Sequence, residues 1–93
     1  MKRAFVYILS NFKRNVFYTG VTSDLEKRLR EHRDGRGGAF TSKYKVHYLV
    51  YLEEYQSIQL AIEREKKLKN WHREWKIDLI KTVNPKMKDI ALR

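Results

Sequence analysis

The sequence predicts one small α+β domain. Three runs of β-branched and aromatic residues (4–9, 16–19 and 46–52) read as strands. Three stretches (24–33, 58–70 and 75–83) carry apolar residues at helical spacing. A length of 93 residues leaves room for a single core.

Ala4-Phe5-Val6-Tyr7-Ile8-Leu9 is apolar throughout, as expected of a strand buried on both faces, with Phe5, Tyr7 and Leu9 sharing one of them. Residues 10–15 have turn composition and Val16-Phe17-Tyr18-Thr19 resumes strand character, so the two runs form an antiparallel hairpin. Gly20 is read as the bend out of that hairpin. Ser23 and Glu26 fit a capping box for a helix from Asp24 to Arg33, in which Leu25, Arg28, Leu29 and His32 share a face.

Gly35-Arg36-Gly37-Gly38 and the following residues to Lys45 read as a mobile basic loop. It is either a plain connection or a flap in which Arg36 and Lys43 neutralise phosphates while Phe40 or Tyr44 stacks on a base. Val46–Leu52 is the third strand. Ser57 caps a helix from Ile58 to Asn70, broken at Trp71-His72. Trp75, Leu79, Ile80 and Val83 define a last helix that Asn84-Pro85 closes.

The net charge is +10, from 21 Lys and Arg against 11 Asp and Glu, which points to a polyanionic partner, nucleic acid above all. Solubility or a ribosomal accessory role is the blander source of such a charge. Six Tyr, four Phe and two Trp supply an aromatic core and argue against disorder. No apolar run is long enough to span a bilayer, and Met1–Leu9 is too short for a signal peptide. Without cysteine there is neither a disulfide-linked partner nor a thiolate metal site. A soluble cytoplasmic protein is therefore expected.

Several polar residues contradict their positions. Arg28 and His32 sit on the leucine face of their helix, where a basic edge is the ordinary explanation. Arginine also matches phosphate geometry, and histidine carries protons near neutral pH. Glu65 lies on the stripe formed by Ile58, Ala61, Ile62 and Leu68. It is either an edge residue, a partner for Arg28, or a single carboxylate ligand for a hard cation such as Mg²⁺. Tyr7 and Tyr18 face each other across the hairpin; tyrosines there are usually core, but their phenols can also handle a proton. His47 and His72 have no ligand-like spacing and read as surface residues.

Taken together, these residues resemble the GIY-YIG nucleases, and within them the small standalone branch. Phe5-Val6-Tyr7 stands where the first motif falls and Tyr18-Thr19-Gly20 where the second falls. Arg28 and His32 follow at the family's spacing, and Glu65 sits on a later helix as its metal carboxylate does. Phe40-Thr41-x-Lys43-Tyr44 and Glu65-Lys66-x-Leu68-x-x-Trp71 extend the likeness, which covers residues 4 to 84. Phe5 replaces a glycine, and Val6 and Thr19 replace isoleucines, while both tyrosines and Gly20 are intact.

The resemblance implies a small three-stranded, largely antiparallel sheet flanked by helices. It also implies hydrolysis of DNA phosphodiester bonds, single strands included, with one divalent cation, Mg²⁺ or Mn²⁺. In that reading Glu65 holds the cation, Arg28 stabilises charge on phosphorus, and Tyr7 takes a proton from water with help from Tyr18 or His32. An unperturbed tyrosine, with a pKa of about 10, needs such help. Asn84 is a candidate for the asparagine that often follows the carboxylate helix. The alternative is a non-catalytic nucleic-acid-binding module, or a repair accessory, with the same fold.

Overall fold

A computed structural model of the chain describes residues 3–91. The elements run β1 (Ala4–Ser10), β2 (Phe17–Thr22), α1 (Leu25–Arg33), α2 (Ala39–Tyr44), β3 (Tyr48–Tyr55), α3 (Ile58–Lys69) and α4 (Arg73–Val83). The strands form one sheet in the order β2-β1-β3, with both pairings antiparallel. The fold is α+β, with a three-stranded antiparallel sheet and flanking helices.

The apolar run of β1 makes it the central strand. Its Tyr7 and Leu9 pack with Leu25 and Leu29 of α1, Val46 and Leu49, and Phe5 lies against that cluster. On the other face Ala4 and Val6 meet Ala61 and Leu68 of α3, while Ile8 meets Val50, Tyr51 and Ile80 of α4. Each large aliphatic side chain buried in this way contributes about 1.5–3 kcal/mol. The alternation of β1 therefore assigns one sheet face to α1 and the other to α3 and α4.

Four local expectations change. The cap of α1 is Asp24, whose carboxylate accepts from the Lys27 N–H at 3.2 Å, not Ser23. The Thr22 hydroxyl accepts from the Asp24 N–H at 3.0 Å, which turns the chain one residue later than a Ser23 cap requires. Gly20 is no bend: it lies within β2, which continues to Thr22, and it pairs with Tyr7. Part of the supposed mobile loop is a helix, since Ala39–Tyr44 completes α2 before Lys45 turns left-handed at φ 53°. β3 starts at Tyr48 rather than Val46 and extends to Tyr55.

The other boundaries follow the sequence. Ser57 caps α3 through its hydroxyl, and the break at Trp71-His72 separates α3 from α4. Beyond α4 the chain returns to β3: the Leu49 N–H donates to the Asp89 carboxylate at 2.8 Å, and the Ile90 N–H donates to the Leu49 carbonyl at 2.7 Å. These bonds satisfy backbone groups on the outer edge of the sheet, which would otherwise stay open to pairing. Among the described residues no helix is long and apolar enough to cross a membrane.

Candidate active site

The sheet face under α1 gathers the aromatic and basic side chains. In the β1–β2 ladder Tyr7 pairs with Gly20 and Leu9 with Tyr18, so the two tyrosines are diagonal neighbours on one face. Their ring centroids are 6.3 Å apart. His32, buried on the inner face of α1, completes a triangle at 5.8 Å from Tyr7 and 5.5 Å from Tyr18.

The Tyr7 hydroxyl and His32 Nε2 are 3.1 Å apart, and His32 Nδ1 is 3.1 Å from the Thr41 hydroxyl. The Thr41 hydroxyl also lies 3.4 Å from the Gly38 carbonyl, which only accepts, and a hydroxyl donating there accepts from an Nδ1–H on His32. That tautomer leaves Nε2 with a lone pair to accept from the Tyr7 phenol. Burial, assisted by the Arg28 charge, pushes the His32 pKa down from 6.5 to about 4, so the ring is neutral at pH 7. Burial pushes the Tyr7 phenol up from 10.0 to about 12, with the neighbouring Arg28 guanidinium opposing the shift. The resting pair is a neutral phenol beside a neutral imidazole.

Arg28 forms the rim. Its guanidinium donates to the Gly37 carbonyl at 3.0 Å and pairs with Glu31 at 3.3 Å. Burial opposes its charge, but the Tyr7 phenol, Glu31 and Tyr18 outweigh that and raise its pKa. Two glycines make room for the rings. A Cβ on Gly20 would collide with the Tyr7 phenol, and one on Gly37 would collide with the His32 imidazole.

Glu65 reaches the same region from α3 and is 9% exposed. Its carboxylate adds to the upward push on Tyr7. Its partner is Lys69 one turn on, at 2.7 Å, rather than Arg28. The Lys69 ammonium in turn lies 5.9 Å from the Tyr18 ring centroid. Among the described residues no three His, Cys, Asp or Glu side chains converge. A single carboxylate already facing a cation fits a hard divalent ion that keeps most of its own waters. The contrasting acid is Glu53, on the opposite sheet face. Arg64, Tyr51 and Tyr55 occupy both its oxygens and hold its pKa down against burial, leaving no room for a metal.

The remaining candidates are more peripheral. Phe40 of α2 lies 6.3 Å from Tyr18 and 4.9 Å from Tyr44, and Lys43 stands over the Tyr44 ring at 5.4 Å. Phe40 and Tyr44 are both largely exposed. Arg36 is exposed and paired with Asp34 at 2.9 Å. Asn84 is not in the site. Its amide donates to the carbonyls of Val50 and Lys88 and accepts from the Lys88 N–H, clamping the tail to β3. His47 stacks on Tyr48 and His72 lies edge-on to Trp75, both away from the cluster.

Sequence reasoning missed Thr41, Gly37 and Lys69. Thr41 stands in the quoted Phe40-Thr41-x-Lys43-Tyr44 run, but its role depends on α2 folding back over His32. The i, i+4 spacing of Glu65 and Lys69 was the one local signal available.

Residues 3–78 match the GIY-YIG catalytic domain. A UPF0213 protein of Syntrophus aciditrophicus is 39% identical over 82 residues, covering 87% of this chain and 93% of the relative. Another, from Staphylococcus haemolyticus, is 35% identical over 80 residues, covering 86% and 96%. The solution NMR structure of a UPF0213 protein from Bacillus halodurans superposes with a TM-score of 0.60 at 26% identity, covering 94% of this chain and 92% of that one. By its domain match and its relatives, the chain belongs to the GIY-YIG family, and the proteins it is similar to there are the small UPF0213 proteins.

Proposed function

We propose that the protein is a divalent-metal-dependent endonuclease that hydrolyses phosphodiester bonds in DNA. The observation that carries this reading is the Tyr7 hydroxyl 3.1 Å from a buried neutral imidazole, in a cluster that also holds Tyr18, Arg28 and Glu65. A plain binding module has no use for a phenol coupled to a buried base.

Glu65 would hold the cation, Mg²⁺ or Mn²⁺, which when bound would supply positive charge to offset the charge that builds on the phosphate and on the leaving oxygen. Tyr7 accepts a proton from the attacking water as its own phenolic proton passes to His32 Nε2; burial and Arg28 hold the resting imidazole neutral, so this transfer draws on the negative charge that a bound phosphate brings to the site. Thr41 keeps the other ring nitrogen hydrogen-bonded, so the imidazolium that forms stays oriented. The hydroxide oxygen bonds to phosphorus, the bond to the 3′ oxygen breaks, and that oxygen takes a proton from solvent. Arg28 offers its fork to the extra charge on the five-coordinate phosphorus. Tyr18 walls the cleft and fixes the angle of the His32 ring. Lys43, Tyr44 and Phe40 line the approach on the α2 side, with Arg36 contributing to the wider basic surface.

Labelled single- and double-stranded oligonucleotides incubated with and without Mg²⁺ or Mn²⁺, beside Glu65→Ala and Arg28→Ala, test this. Cutting by the wild type that disappears with EDTA and in both variants is expected. A wild-type protein that binds DNA but never cuts in either metal sinks the proposal.

A further inference from the structure

The cationic surface continues past Glu65. Lys69 ends α3, and the chain turns through Asn70, Trp71 and His72 into α4. Between that turn and the start of β2 lies an open hollow of about 350 Å³, lined by Asn15, Val16, Phe17, Trp71, Arg73 and Lys76. Every charged residue of this lining is cationic. Neither Arg73 nor Lys76 forms an ion pair among the described residues. Burial lowers the Lys76 pKa, and the charge of Lys69 lowers it further, so the hollow is electrostatically continuous with the lysine that touches Glu65.

The aromatic groups are equally specific. The Arg73 guanidinium lies 5.8 Å from the Phe17 ring centroid. Trp71 and Trp75 meet edge to face at 6.1 Å, and Trp75 is left 54% exposed. Crowded lysines repel each other and a half-wet indole wastes apolar area, so neither arrangement serves stability. Both suit an occupant with phosphates and unstacked bases. A duplex keeps its base faces covered, whereas a single strand offers them to an aromatic platform, with the backbone lying on neighbouring cations.

We propose that this hollow is a binding site for single-stranded DNA. It holds the stretch of strand next to the nucleotides at the Tyr7–Glu65 centre, with phosphates on Lys69, Arg73 and Lys76 and a base stacked on Trp75. The assignment rests on the nuclease reading for the identity of the strand, and on the lining residues for its path.

Binding is measured in EDTA, where cutting is not required. Of the chain's two tryptophans, Trp71 lines the hollow and Trp75 meets Trp71 edge to face, so a short oligothymidine is expected to quench tryptophan emission on saturation. Lys76→Glu is expected to weaken binding at least about tenfold more than Lys67→Glu, an equal charge change on the solvent side of α3. Trp75→Ala costs roughly tenfold, and Trp75→Phe restores most of it because the stacking face remains. Unchanged emission at saturation, or equal losses in Lys76→Glu and Lys67→Glu, overturns the site. The same dependence with duplex DNA overturns the single-strand assignment. Wild-type cutting in Mg²⁺ with unimpaired binding by Lys76→Glu removes the hollow and leaves the nuclease reading standing. Hollow-dependent binding by a protein that never cuts supports the hollow and removes the nuclease.

Discussion

The Tyr7 phenol stands in the space that a side chain on Gly20 would occupy, and the two residues are direct partners in the β1–β2 ladder. The glycine thus shapes the floor of the site from inside a strand. Its backbone lies in an ordinary extended run, so what it provides is the missing Cβ. Gly20→Ala forces the phenol away from His32 or the strands apart. We expect a loss of about 1–3 kcal/mol in urea unfolding, the usual range for overpacking a filled core, together with loss of cleavage. An alanine variant with wild-type stability and activity would show that the ring has room to spare.

His32 makes stability depend on pH. Its pKa is about 4 in the folded protein against 6.5 for the free group, because burial and Arg28 disfavour the charged ring. The unfolded chain therefore binds more protons between these values. The stability of the neutral ring is fully present above pH 6.5 and is lost as the pH falls towards 4. The slope is at most about 1.4 kcal/mol per pH unit for this one group. Urea midpoints compared at pH 4.5 and 7 should fall for the wild type more than for His32→Gln. Equal falls in both proteins would assign the acid sensitivity to other groups.

Thr41 holds the far side of that ring. Replacing it with valine leaves a buried His32 N–H without its acceptor, which costs about 1–3 kcal/mol, and frees the imidazole to change tautomer. Thr41→Ser restores the hydroxyl. If the threonine acts by positioning, serine recovers activity and the pH profile of cleavage together, while valine shifts that profile. Full activity in the valine variant removes Thr41 from the relay.

The sheet was legible because β1 is apolar at every position from Ala4 to Leu9, a pattern that suits only a strand covered on both sides. The polar intruders were legible for a related reason. Arg28, His32 and Glu65 interrupt stripes whose other members went into the core, so their positions carried information that composition did not. What local pattern could not convey was long-range contact. The helical spacing of α2 spans only six residues and was hidden behind three glycines, so Thr41 gave no sign of meeting His32. Gly20 was read as a turn because a glycine after a strand usually is one. Its reason lies on the neighbouring strand, in the Tyr7 ring.

Glu65 allows chemistry to be separated from folding. Its ion pair with Lys69 joins a nearly buried carboxylate to an ammonium that is half in water. Such a pair contributes less than about 1 kcal/mol, so Glu65→Gln should barely move the urea midpoint. Removal of the carboxylate takes away the negative charge that would hold the cation, and cleavage should fall by roughly 100-fold or more. Arg28→Lys makes the complementary test, because it keeps a positive charge while losing the fork that spans two phosphate oxygens. A comparable loss there, with DNA binding in EDTA little changed, identifies charge stabilisation during the reaction rather than substrate capture. If instead both variants lose binding and cutting in proportion, the two residues act as anchors for DNA, and the chemistry must be sought elsewhere.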